Sequence, residues 1–411
     1  MSPNQSFWKT APDWIRRLLL GKADADNRLA RLDSDLQVGQ PNVGDRELFN
    51  QLVDQIFEQR RFSNNGPLVR ALESKICEYL DVQHCILVCN ATVGLQIACH
   101  ALELTGEVIM PAYTFVATPH AVQWQGLRPV FVDVDPASHT IQVDQLEARI
   151  TDQTSAVLGV HLWGNPCNTT AIESLASKYG LATIYDAAHA FGCRHERQMI
   201  GNFGDCEVFS FHATKFFNTF EGGAITTNDA ALAGKIRRIR NFGFSETDRA
   251  THLGTNGKMP EICAAMGLAC FESLDEILAA NRSNYEIYRE FLHATPGIRL
   301  LDYEHHEGTN WQYVVVEIDD EFPLSRDELI EHFKTQGVRA KRYFYPGCHR
   351  MEPYNSAYPR QRERLPNTDT LCSRVICLPT GTAVSTPDVH RVCQTIAHAK
   401  PTSETSETHL E

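Results

Sequence analysis

No stretch of this 411-residue chain stays apolar long enough to cross a membrane, and the cluster Ile15–Leu20 is broken by Arg16 and Arg17. No cationic start or small-residue cleavage site of a signal peptide is found, so a secreted protein is not expected. A positive balance is missing as well: 38 basic against 51 acidic residues give −13, which disfavours nucleic acid as a partner. Thirteen cysteines are present, but they are odd in number, scattered and contain no CxxC pair. That pattern reads as reduced thiols in a cytoplasmic protein rather than a disulfide framework. There is no HExxH, no Walker lysine loop and no GxGxxG, so neither a metal nor a loop-bound nucleotide is expected. Internal repeats are absent too.

What is present is an alternation. Short apolar or β-branched runs at Cys85–Cys89, Glu107–Met110, Pro129–Val134, Ala156–Val160, Ala182–Tyr185, Glu207–Phe211 and Ala224–Thr227 are separated by helix-like segments. This succession predicts an α/β fold with a mostly parallel sheet covered on both faces. From Pro260 to His293 the apolar stripe Leu274, Leu278, Tyr285, Tyr288, Leu292 predicts long helix. Beyond it, strands at Trp311–Glu317, Val338–Phe344 and Val375–Leu378 alternate with helices at Arg326–Thr335 and Pro387–His398, a smaller α+β unit. The expected organisation is an extension over 1–40, a large domain over 41–270, a small domain over 271–400 and a disordered tail over 401–411.

One stretch is chemically odd. Phe209-Ser-Phe-His-Ala-Thr-Lys-Phe-Phe-Asn-Thr-Phe sets Lys215 among aromatic residues, where an ammonium is costly. A lysine that forms a Schiff base with an aldehyde has no such cost. Three other groups fall at expected strand ends, where open parallel sheets bind ligands. In Val88-Cys-Asn-Ala-Thr-Val-Gly the N–H groups of Ala91 and Thr92 open a helix and suit a phosphate, to which Ser210 could add a contact. In Ile184-Tyr-Asp-Ala-Ala-His, Asp186 could hold a pyridine nitrogen protonated, and His189 could reach the ring's phenolic oxygen. In Pro111-Ala-Tyr-Thr-Phe, Phe115 could stack on a flat ring. Together the four groups describe a phosphate, a pyridine ring and an aldehyde.

These motifs resemble the DegT/DnrJ/EryC1/StrS sugar aminotransferases, fold-type I pyridoxal-phosphate enzymes. The likeness spans about residues 45–398 and also takes in Val160-His-Leu-x-Gly and Leu253-Gly-x-Asn. It implies catalytic roles for Lys215 and Asp186, a stacking role for Phe115, and a place for His189 where glutamine is common. It further implies a cytoplasmic homodimer with shared active sites, in which Asn256 reaches the neighbour's phosphate. Where the family often has Asn-Tyr-Arg this chain has Asn256-Gly-Lys258, so Lys258 is the candidate for the donor carboxylate. His212, Arg342, Tyr343, Tyr345 and His349 are candidates for the sugar and diphosphate.

The likeness is strongest to the branch that aminates C4 of a nucleotide-linked, dTDP-type 4-keto-6-deoxyhexose with L-glutamate. A C3 aminotransferase and a non-catalytic cofactor-binding regulator are the alternatives.

Overall fold

The computed structural model describes residues 35–400 except 247 and 304–307. The short amphipathic turn expected at 14–19 and the tail at 401–411 lie outside the described residues.

Seven strands build the main sheet: β1 (His84–Val88), β2 (Glu107–Pro111), β3 (Arg128–Val132), β4 (Thr154–Val160), β5 (Ala182–Asp186), β6 (Cys206–Ser210) and β7 (Gly223–Thr227). Their spatial order is β1-β7-β6-β5-β4-β2-β3. All neighbours run parallel except β7, which is antiparallel to both β1 and β6. Nearly every residue of these strands is buried, as helices on both faces require.

On one face lie α1 (Arg46–Gln59) and α2 (Pro67–Leu80), packed on the later helix α7 (Glu261–Glu272). On the other lie α3 (Ala91–Ala101), α4 (Ala117–Trp124) and α6 (Ala230–Arg240), while α5 (Thr169–Tyr179) packs on β4 and β5. Gly94 lets α3 sit close to the sheet: a Cβ there would lie 2.8 Å from Val208 Cγ1.

A long helix was expected over 260–293. The chain instead parts at Ser273 into α7 and α8 (Leu274–Leu292). The two segments meet different surroundings, since α7 is buried on almost all sides and α8 along one stripe. The segment 144–150, expected as helix, forms two 3₁₀ turns; Leu146 is its one fully buried apolar residue, too little to seat a helical face.

Beyond α8, strands β8 (Ile298–Leu300), β9 (Val314–Ile318) and β10 (Val375–Leu378) form a small antiparallel sheet. Helices α9 (Arg326–Thr335), α10 (Pro366–Arg374) and α11 (Thr386–Ala397) accompany it. The strand expected over 338–344 is only Val338–Arg339, and it pairs in parallel with Leu36–Gln37, so the first described residues belong to this region. One hydrophobic cluster runs without a break from the main sheet, through Tyr113 and Trp163, into the small sheet. Asp133, at the end of β3, accepts from Thr368 N and Asn367 N and so caps α10 across that junction. No described helix is long and apolar enough to cross a membrane, and the thirteen cysteines are all unpaired.

Candidate active site

Sheet register brings three chain segments together. Gly223, opening β7, lies opposite Val88 at the end of β1 and opposite Ser210 at the end of β6. A Cβ on Gly223 would fall 2.9 Å from Ala91 N and 2.6 Å from Phe209 O, so only a bare α-carbon lets the start of α3 sit there. Asn90 caps that helix through Val93 N, leaving the first-turn N–H groups of Ala91 and Thr92 without intrahelical acceptors. The result is a small concave cradle that suits an anion.

Lys215 sits on the loop from β6 to β7. Its aromatic neighbours are the loop's attachment to the core: Phe211, Phe216 and Phe217 are buried against Phe191. Phe216 N donates to Gln312 Oε1 at 2.9 Å, and Lys215 Nζ donates to Tyr313 OH at 3.1 Å. Consecutive residues leading into β9 thus hold the lysine's main chain and its amine. Burial lowers the Lys215 amine to about 8, with Asp186 opposing that shift.

Asp186 ends β5 and is buried. Its Oδ2 accepts from Thr118 Oγ1 at 2.8 Å and its Oδ1 from Ala188 N at 3.1 Å. Thr114 backs Thr118 at 2.9 Å. Burial raises the Asp186 carboxyl, while these donors and Lys215 hold it down. Each carboxylate oxygen keeps lone-pair capacity for a further donor. His189 is buried, with its ring 4.5 Å from Tyr313, and burial pushes its imidazole well below the usual range, with Lys215 acting in the same direction. Phe115 is 56% exposed with Phe344 beside it, leaving ring surface open to a ligand.

The remaining candidates scatter. Lys258 lies alongside β1 by a bridge to Val88, its Nζ 4.4 Å from the centre of the exposed Phe242 ring. His212 is exposed, bonded to Thr214 and 3.4 Å from Glu221, and Asn256 is exposed. Tyr343 joins the aromatic group of Trp163, Tyr313 and Phe344. Arg342 turns to Asp327 and stacks on Tyr345 along an outer groove of about 630 Å³ beside α9. The structure does not bring His349 to an open surface: it is 1% exposed, with Nε2 held by Asp369 at 2.9 Å.

Sequence reasoning missed Tyr313, Gln312 and Thr118. Thr118 lies three residues past Phe115, just beyond a stretch whose reading rests on its phenylalanine alone. Tyr313 is 98 positions from Lys215, and no local spacing links them.

Residues 44–397 match the model of the DegT/DnrJ/EryC1/StrS aminotransferase family. The chain belongs to that family. A dTDP-4-amino-4,6-dideoxy-D-glucose transaminase of Shigella dysenteriae is 40% identical over 371 residues, covering 90% of this chain and 100% of that protein. A protein of the same name from Escherichia coli is 37% identical, covering 84% and 94%. Among solved structures, DesI in the presence of its TDP-sugar product superposes with a TM-score of 0.83 at 46% identity, covering 88% of this chain and 92% of that one. As in other DegT/DnrJ/EryC1/StrS aminotransferases, the main sheet is mixed, mostly parallel and flanked by helices, the fold-type I arrangement.

Proposed function

We propose that this protein uses pyridoxal 5′-phosphate to transfer the amino group of L-glutamate to C4 of a nucleotide-linked 4-keto-6-deoxyhexose. The nucleotide is dTDP in this reading and the product a 4-amino-4,6-dideoxy sugar nucleotide. The observation that carries it is Lys215, a half-buried residue whose amine desolvation lowers to about 8, opposed by the buried carboxylate of Asp186. The names of the relatives at 40% and 37% identity, and the TDP-sugar of DesI, support the substrate class.

The residues present fit the cofactor. The cradle kept open by Gly223 suits its phosphate, with Ala91, Thr92 and Ser210 as donors. Phe115 offers an open ring face, Asp186 a carboxylate with spare lone pairs, and Lys215 an amine. When bound, pyridoxal phosphate supplies the carbonyl that holds the amino group and an electron-accepting ring. Asp186 keeps a proton on the ring nitrogen, which gives the ring its pull. Lys215 Nζ, about half uncharged near pH 8, takes the proton from the donor's Cα and later returns one, as base and then acid. Tyr313 OH holds that amine in line between the two tasks.

The exposed rings of Phe220 and Phe242 and the exposed Asn256 suit a homodimer in which Asn256 completes the neighbour's phosphate site. Lys258 is the proposed anchor for the donor carboxylate, and a cytoplasmic location accords with the unpaired thiols.

Incubation with glutamate and dTDP-, UDP- and GDP-linked keto sugars, followed by NMR of the product, tests the reading. An amine at C4 and release of 2-oxoglutarate are expected; an amine at C3 would assign the alternative regiochemistry.

A further inference from the structure

Trp163 donates two hydrogen bonds, each to a different imidazole. Its backbone N–H goes to His189 Nδ1 at 3.2 Å and its indole Nε1–H to His139 Nδ1 at 3.1 Å. A ring nitrogen that accepts cannot also carry a proton, so in both histidines the proton of the neutral ring lies on Nε2. At His139, which is fully buried, that Nε2–H points to Glu317 Oε1 in β9, 2.7 Å away. The same carboxylate pairs with Arg299 of β8. At His189, no hydrogen bond to a described residue uses Nε2.

The geometry around Trp163 is built rather than incidental. Its φ is +63°, a left-handed conformation that a bulky side chain adopts only where its surroundings impose it. The indole stacks on Phe344 at 5.3 Å and 9° and on His189 at 5.7 Å and 21°. Asn310 Nδ2 in turn bonds the carbonyls of His189 and Phe191, fixing the backbone that carries the imidazole.

We propose that Trp163, His139 and Glu317 are positioning residues that fix the His189 proton on Nε2 and present it as a hydrogen-bond donor to an anionic oxygen on the cofactor ring. The nature of that acceptor rests on the function proposed above; the tautomer does not. An imidazole held this way can only donate from its free edge. Turning the ring over would cost it the Trp163 N–H. The relay also makes β9 serve both sides of the site, since Tyr313 at its approach holds Lys215 and Glu317 within it holds His139.

The test is long-range ¹H–¹⁵N correlation on full-length protein labelled with ¹⁵N-histidine, first without and then with pyridoxal phosphate, with His139→Gln and His189→Gln used for assignment. Both rings are expected in the neutral Nε2–H form at pH 7. A His189 carrying its proton on Nδ1, or on both nitrogens, overturns the proposal. Glu317→Ala should shift the His189 resonances and weaken retention of pyridoxal phosphate about fivefold, the loss expected of one hydrogen bond. Glu317→Gln, which keeps an acceptor for His139, should restore most of both. Unchanged His189 resonances in Glu317→Ala overturn the relay. Trp163→Phe deletes the indole donor alone and leaves His139 Nε2–H on Glu317, so the His139 Nδ1 resonance should shift even where Glu317→Ala fails to fold; an unshifted Nδ1 resonance there is equally fatal. Wild-type protein with the expected tautomers but no uptake of pyridoxal phosphate would overturn the acceptor and the proposed function while leaving the ring states established.

Discussion

Two acid–base pairs lie side by side in this sheet, and they are finished to different degrees. His161 and Glu207 are both fully buried, 3.1 Å apart. His161 Nδ1 accepts from Cys167 N, and the second oxygen of Glu207 accepts from Gly201 N and Phe203 N. The imidazole also stacks on Tyr185 at 4.8 Å. Every polar atom there has a partner. One residue further along β5, Asp186 and Lys215 keep lone pairs and an amine in reserve, and burial moves both away from their charged forms. The chain connects the pairs directly, since His161 N donates to Asp186 O at 3.0 Å. A satisfied pair fixes the end of β5, and the unsatisfied pair built on that end is free to do chemistry.

The largest effect that would sharpen this contrast is Lys215→Ala. Loss of the proton-moving amine should cut transamination by about 10³-fold or more. The thermal midpoint should hold or rise, because a partly desolvated amine disfavours folding while it is charged. Full turnover in Lys215→Ala would end the mechanism. Glu207→Leu should behave in the opposite sense. It strands His161 Nε2–H and two backbone N–H groups, and should cost about 3 kcal/mol of stability in thermal or denaturant unfolding. If it abolished turnover with no loss of stability, the division between a structural and a chemical pair would fail.

The sequence carried one of these pairs more legibly than the other. Lys215 and Asp186 stand out because a charged residue at the end or edge of an apolar run needs a reason, and strand ends in an open sheet supply it. His161 follows the run Ala156–Val160 and Glu207 opens the run Glu207–Phe211, but their pairing with each other depends on which strands become neighbours. The order β1-β7-β6-β5-β4-β2-β3 is a tertiary outcome with no local signature. The strands themselves were legible because both-face burial leaves continuous apolar runs. The break at Ser273 was not, since both halves of that segment are helical by pattern. Tyr313 and Glu317 escaped for the same reason as His161: they act through the approach of β9 to the main sheet, across a long sequence separation.

Tyr313 yields the smallest and most discriminating effect. Its hydroxyl accepts from Lys215 Nζ, a bond that is stronger when the amine is charged, so it favours the ammonium. Uptake of pyridoxal phosphate by cofactor-free protein requires the neutral amine. Its rate should therefore climb with pH and level off above about 8, the value to which burial lowers Lys215. Tyr313→Phe removes a group that stabilises the charged form, so the lysine should lose its proton more readily and the plateau should begin at lower pH. The displacement should be under about one pH unit, corresponding to roughly 1 kcal/mol for one hydrogen bond. Asp186→Asn should move the plateau the same way, because it deletes the negative charge that opposes burial. A plateau that moved upward in either variant would mean that the neighbours of Lys215 favour its neutral form, and the unfinished pair would then owe its poise to something other than burial set against a carboxylate and a phenol.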